Sequence, residues 1–144
     1  MRQRAAAWAL LVSCVFFSYH HGAILRHDNF RGGFRRVVFD YTEADKAKYA
    51  ELKSLIALIP KTASVVATET EAPHVSNRED CFTMRFGHLD ADYMLVSIAE
   101  VRRGDSRKHF QSAVNSGNYG MVERRGGFML WKRGAPKDRN AEGL

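Results

Sequence analysis

Two periods of apolar spacing run through this chain, and the change between them marks its elements. From Ala5 to Leu25 there is no Asp, Glu, Lys or Arg, and at about 1.5 Å per residue a helix of that length reaches roughly the thickness of a hydrocarbon core. After a polar connector, Tyr49, Leu52, Leu55, Ile56 and Ile59 recur at helical spacing behind a capping-box-like Thr42-Glu43-Ala44-Asp45, and Pro60 stops the helix. The pattern then shortens to strands: Ser64–Ala67, Cys81–Phe86 and the continuous apolar run Tyr93–Ile98, which suits the middle of a sheet. Between the first two lies a brief helix within Thr68–Arg78, with Pro73 in a first-turn position. A further helix over Asp105–Gly117 turns Phe110, Ala113 and Val114 inward and ends on Gly117. Tyr119–Glu123 and Phe128–Lys132 flank Arg124-Arg125-Gly126-Gly127 as a hairpin.

These elements predict an α/β fold: a small mixed sheet with packed helices and a C-terminal β-hairpin, preceded by one N-terminal transmembrane helix. The expected division is residues 1–25 as transmembrane helix or signal segment, 26–41 as basic connector, 42–134 as α/β domain and 135–144 as a disordered polar tail.

Charge sharpens the reading of the N-terminus. The net charge of +6 is uneven: residues 1–41 carry six Arg against two acids, 42–100 six basic against ten acidic, and 101–144 ten basic against four acidic. Arg26, Arg31, Arg35 and Arg36 closely follow the apolar segment, which favours an anionic bilayer surface over nucleic acid as partner. The segment also fits a removed signal peptide with Arg2 and Arg4 as its charged start, and Leu11-Val12-Ser13-Cys14 spells a lipoprotein box. Tyr19, His20 and His21 suit an interfacial belt, and counting basic flanks alone would leave the rest of the chain in the cytoplasm.

Candidate chemistry is sparse. Phosphate-loop, dinucleotide, zinc-protease and nucleophile-elbow signatures are absent, and Cys14 and Cys81 support neither a disulfide framework nor a metal site. His74 and Arg78 fall four apart, so on a helix they would share a face at the carboxyl end of the first strand, a positive pocket for phosphate or a sugar acid. The alternative is local hydrogen bonding or pairing with Glu69, Glu71 or Glu79. Asp90-Ala91-Asp92 has the spelling by which sugar-nucleotide transferases hold a divalent metal, and equally marks a turn before a strand. His74, Arg78, Asp90 and Asp92 are therefore the ligand-binding candidates, with no catalytic set, metal site or cofactor assigned. The basic residues Arg102, Arg103, Arg107, Lys108, Arg124 and Arg125 read as a solvated or lipid-facing surface.

Ile59-Pro60, Ala63–Ala67, Pro73-His74-Val75-Ser76 with Arg78, Ala91–Val96, Gly117–Gly120 and Leu130–Gly134 together resemble the C-terminal region of a bacterial family of uncharacterised polytopic membrane proteins grouped with GT-C-type glycosyltransferases. The likeness covers most of residues 42–134. It implies an extracytoplasmic domain after a last membrane span, partnered by the bilayer and by polytopic membrane segments, with glycosyltransferase activity residing in upstream segments. Against that pattern this chain shows one candidate span, so it reads as a fragment of a longer gene product or a trimmed remnant. The resulting expectation is a non-catalytic, membrane-tethered α/β domain; the alternatives are a stand-alone secreted or lipid-anchored binding protein, and a small enzyme using Asp90, Asp92 and His74.

Overall fold

The computed structural model describes residues 2–21, 28–31, 35–38, 40–102 and 104–143. Arg26, Phe39 and Arg103, and positions 22–25 of the expected span, lie outside the described residues. The chain divides into two compact units, Met1–Glu43 and Ala44–Leu144.

In the first unit, helix α1 (Arg2–His21) is followed by an antiparallel pair, β1 (Asp28–Arg31) and β2 (Arg35–Val38), in the register Asp28↔Val38 to Arg31↔Arg35. The expected transmembrane helix, and with it the single-span location, is corrected: among the described residues no helix is long and apolar enough to cross a membrane. The reason lies in counting charges instead of apolar residues. Arg2 and Arg4 open α1 and Ser18-Tyr19-His20-His21 close it, so its dense apolar run is Ala5–Phe17, thirteen residues. At about 1.5 Å each these reach about 20 Å, short of a core about 30 Å thick.

The second unit is the α/β domain that the spacing predicts. Helix α2 (Glu43–Ile56) buries Leu52 and Leu55, and Ile59 closes over the same core just before Pro60. Then follow β3 (Val65–Ala67), the one-turn α3 (Ala72–Val75), β4 (Cys81–Thr83), β5 (Tyr93–Ser97), α4 (Gly104–Asn115), β6 (Tyr119–Arg125) and β7 (Phe128–Arg133). They form one sheet in the order β4-β3-β5-β7-β6. β3 runs parallel to both neighbours, while β7 runs antiparallel to β5 and β6. The expected strand over Cys81–Phe86 is half realised, since Met84–Phe86 winds into a 3-10 turn and buries Met84.

Strand period 2 sorts the core into two layers. Val65, Ala67, Tyr93, Leu95, Phe128 and Leu130 meet Leu52, Leu55 and Val75 on one face. Val66, Met94, Val96, Met129 and Trp131 meet Phe110, Ala113 and Val114 of α4 on the other. All five residues of β5 are buried, as a continuous apolar run in mid-sheet requires. The two glycines of the hairpin join β6 to β7; Gly126 takes φ +51°, and a Cβ there would run into the Glu51 carboxylate on α2. Residues 135–143, expected to be frayed, lie along β6. Asn140 accepts from the Met121 N–H at 2.9 Å and donates to the Tyr119 carbonyl at 3.1 Å, and Arg139 donates to the Val122 carbonyl at 2.9 Å.

Candidate functional site

Parallel register brings two polar chain segments together at the carboxyl ends of β3 and β5, where open α/β sheets bind ligands. Because Ala67 pairs with Leu95, Thr68 arrives beside Ser97. The Ser97 N–H donates to the Thr68 hydroxyl at 2.9 Å, and the Thr68 N–H donates to the Leu95 carbonyl at 3.1 Å. The Thr68 hydroxyl in turn donates to the Glu71 carboxylate, which is only 4 % exposed. The Thr70 hydroxyl stands 2.9 Å from both oxygens of Glu71 and 2.5 Å from Glu100 Oε1. Glu100 also receives the backbone N–H groups of Glu69 at 2.9 Å and Thr70 at 3.3 Å. Buried polar groups are tolerated only when bonded in this way.

Above this network lies a cleft of about 400 Å³. α2 supplies Asp45, Lys48 and Tyr49, α3 supplies His74, and Phe128 closes one side. The Tyr49 and His74 rings sit 5.6 Å apart, and Lys48 Nζ stands 5.6 Å from the Phe128 ring centroid. Three carboxylates, Asp45, Glu71 and Glu100, face one lysine, so the cleft accepts hydrogen bonds from hydroxyl or ammonium groups and disfavours an anion.

The four sequence candidates do not converge. His74 is exposed and lines this cleft, whereas Arg78 turns away: α3 ends at Val75, so four-residue helical spacing no longer applies. Arg78 donates to the carbonyls of Ile59, at 3.2 Å, and Pro60, satisfying the end of the α2 segment. The positive pocket expected of the pair is thus an acidic one. Asp90 lies in a turn with Leu89, at φ +51° and +44°, closed by the Ala91 N–H donating to the His88 carbonyl at 3.1 Å. Positive φ at both central residues is the type I′ pattern. The Asp90 carbonyl accepts from Arg133, and its carboxylate lies 3.7 Å from His88.

Asp92 accepts from the Ser64 hydroxyl at 2.8 Å and the Ser64 N–H at 3.1 Å. The Ser64 hydroxyl bond, then the backbone bond, holds its carboxyl below the ordinary 3.8. Asp-x-Asp here makes a turn and its anchor, and among the described residues no group of three or more His, Cys, Asp or Glu could hold a metal. Nearby, Tyr119 donates to the Ala91 carbonyl at 2.8 Å, and burial, then the Asp90 charge, raises its phenol.

Thr68, Thr70, Ser97, Glu100 and Tyr49 were missed as site residues in the sequence, and Glu71 entered only as a pairing partner. Thr-Glu-Thr-Glu directly after a three-residue buried strand is the signal that points to Thr68, Thr70 and Glu71; Tyr49, Ser97 and Glu100 carry no such local signal.

No curated protein and no solved structure matches this chain. One family does, described as "Predicted membrane protein (DUF2079)", and the match runs over residues 3–130. Since that covers most of the sequence and reaches into both compact units, the chain belongs to the DUF2079 family of predicted membrane proteins.

Proposed function

We propose that this protein is a membrane-associated, non-catalytic module in which α1 supplies apolar attachment and the α/β unit supports or recruits a ligand for a glycosyltransferase-like membrane protein. The observation that carries the attachment is the surface of α1. Trp8, Leu10, Leu11, Val12, Val15, Phe16 and Phe17 each stand more than half exposed, between 54 and 68 %. Full burial of such a side chain is worth about 1.5–3 kcal/mol, and withdrawing the exposed fraction of all seven favours burial by roughly 6–13 kcal/mol. They surround the helix instead of lining one stripe, so the cover must be apolar on every side, as acyl chains or neighbouring helices are.

Membership in a membrane-protein family supports the same attachment. The ordered motifs of residues 59–134 support the glycosyltransferase-like context and an extracytoplasmic position. The acidic, hydroxyl-rich cleft beside Tyr49 and His74 is where a polyhydroxylated or cationic ligand would be recruited.

Vesicle flotation of the full chain tests the attachment. The wild type is expected to rise with phosphatidylcholine vesicles and to stay with them in high salt. The double variant Leu11→Asp, Val15→Asp is expected to remain below. Recovery of the wild type in the vesicle-free fraction, or equal flotation of the variant, refutes the reading.

A further inference from the structure

A second cleft, of about 320 Å³, lies on the opposite face of the sheet from α2 and has the reverse charge. We propose that it binds a phosphate group carried on an apolar arm, held by Arg102, Arg107 and Arg124. Each arginine comes from a different element: Arg102 from the turn before α4, Arg107 from the first turns of α4, and Arg124 from β6. Arg107, Phe110 and Gln111 share one face of α4 by their spacing of three and four.

Two of the guanidinium groups are uncommitted. Arg102 and Arg107 meet no carboxylate or carbonyl among the described residues, while Asp105, the acid nearest them in α4, lies 3.5 Å from Lys108. Arg124 is steadied by one bond, Nη1 donating to the Glu142 carbonyl at 2.7 Å. The Glu142 carboxylate is occupied by Arg139 at 3.1 Å, so it does little to neutralise the cleft. Guanidinium forks from three directions match the tetrahedral, multiply charged oxygens of phosphate better than a single carboxylate. The dipole of the twelve-residue α4 adds positive potential at the same end.

The floor decides the rest of the ligand. Ile98, only half-buried, packs at the cleft against the buried Val101, Phe110 and Met129, and its open apolar surface rewards contact with an alkyl or acyl arm. Among the described residues no exposed aromatic ring lines the cleft for base stacking, which disfavours single-stranded nucleic acid.

The test uses the full chain in non-ionic detergent, titrated separately with dioctanoyl phosphatidic acid, inorganic phosphate and a short single-stranded oligonucleotide. Saturable binding of the phosphatidic acid is expected, tighter than that of inorganic phosphate. It should weaken about a hundredfold in the double variant Arg102→Gln, Arg107→Gln, since each lost charge-assisted bond is worth about a factor of ten. The variant should melt like the wild type, because neither side chain has a structural partner among the described residues. Equal affinity for inorganic phosphate overturns the role of the floor and leaves free phosphate as the ligand. An unweakened double variant overturns the site, and tighter binding of the oligonucleotide replaces it with a nucleic-acid surface.

Discussion

Replacing Thr68 by Val keeps the volume and branching of a fully buried side chain and removes only its hydroxyl. That hydroxyl serves two partners at once, accepting from the Ser97 N–H at 2.9 Å and donating to the Glu71 carboxylate. Ser97 and Glu71 are themselves buried, at 7 and 4 % exposure, so water does not readily replace the lost bonds. A buried N–H left unpaired costs about 1–3 kcal/mol, and a bond to a charged group is worth about 1.5–3. Thr70 still reaches Glu71, which trims the second figure, and the expected loss is about 2–4 kcal/mol. With a urea slope of about 1.5 kcal/mol/M for a domain of this size, the unfolding midpoint should fall by roughly 2 M. Thr68→Ser is the control: it keeps both bonds, removes one methyl and should cost about 1 kcal/mol. Urea unfolding of the full chain in non-ionic detergent, followed by near-ultraviolet circular dichroism, reads both. If Thr68→Val costs no more than Thr68→Ser, the hydroxyl does not join the two strand ends and the account of the cleft fails.

Three further outcomes follow from local geometry. Leu89 occupies a left-handed position in a type I′ turn that favours Asn, so Leu89→Asn should raise stability by about 1 kcal/mol; an unchanged midpoint would refute that turn. Gly126→Ala should lose about 1–2 kcal/mol at φ +51°, with extra cost from the Glu51 carboxylate that a Glu51→Ala background relieves, as a double-mutant cycle will show. Asp92 has a folded pKa depressed below 3.8, so its contribution is present above that pH and is lost as pH falls through the lower folded value. Asp92→Asn should therefore flatten the acid limb of stability as pH falls through and below 3.8, and a limb as steep as the wild type's would count against the Ser64 bonds.

What the sequence disclosed depended on the range of the interaction. The β5 run, the Pro60 stop and the Gly126-Gly127 hairpin are local signals, and each is found where the spacing puts it. The length of α1 misled because absence of charge is a weaker condition than presence of apolar side chains, and Ser18 to His21 satisfy only the first. His74 and Arg78 misled because a shared face presumes that the helix continues, and it ends at Val75. The cleft itself was out of reach: Thr68 and Ser97, or Thr70 and Glu100, are about thirty positions apart and meet only through the parallel pairing of β3 with β5. The basic cleft was legible as a basic surface, and its concavity became visible only with the packing of α4 on β6 and β7.

The segment after β7 gives the sheet a finished rim. β6 is an outer strand, and an outer strand ordinarily offers a row of free N–H and C=O groups to any passing chain. Here the side chains of Asn140 and Arg139 occupy the Tyr119 carbonyl, the Met121 N–H and the Val122 carbonyl. Residues 134–143 thus do for part of that border what a further strand would do, shielding it from edge-to-edge pairing and leaving β4 as the margin of the sheet without such a cover among the described residues.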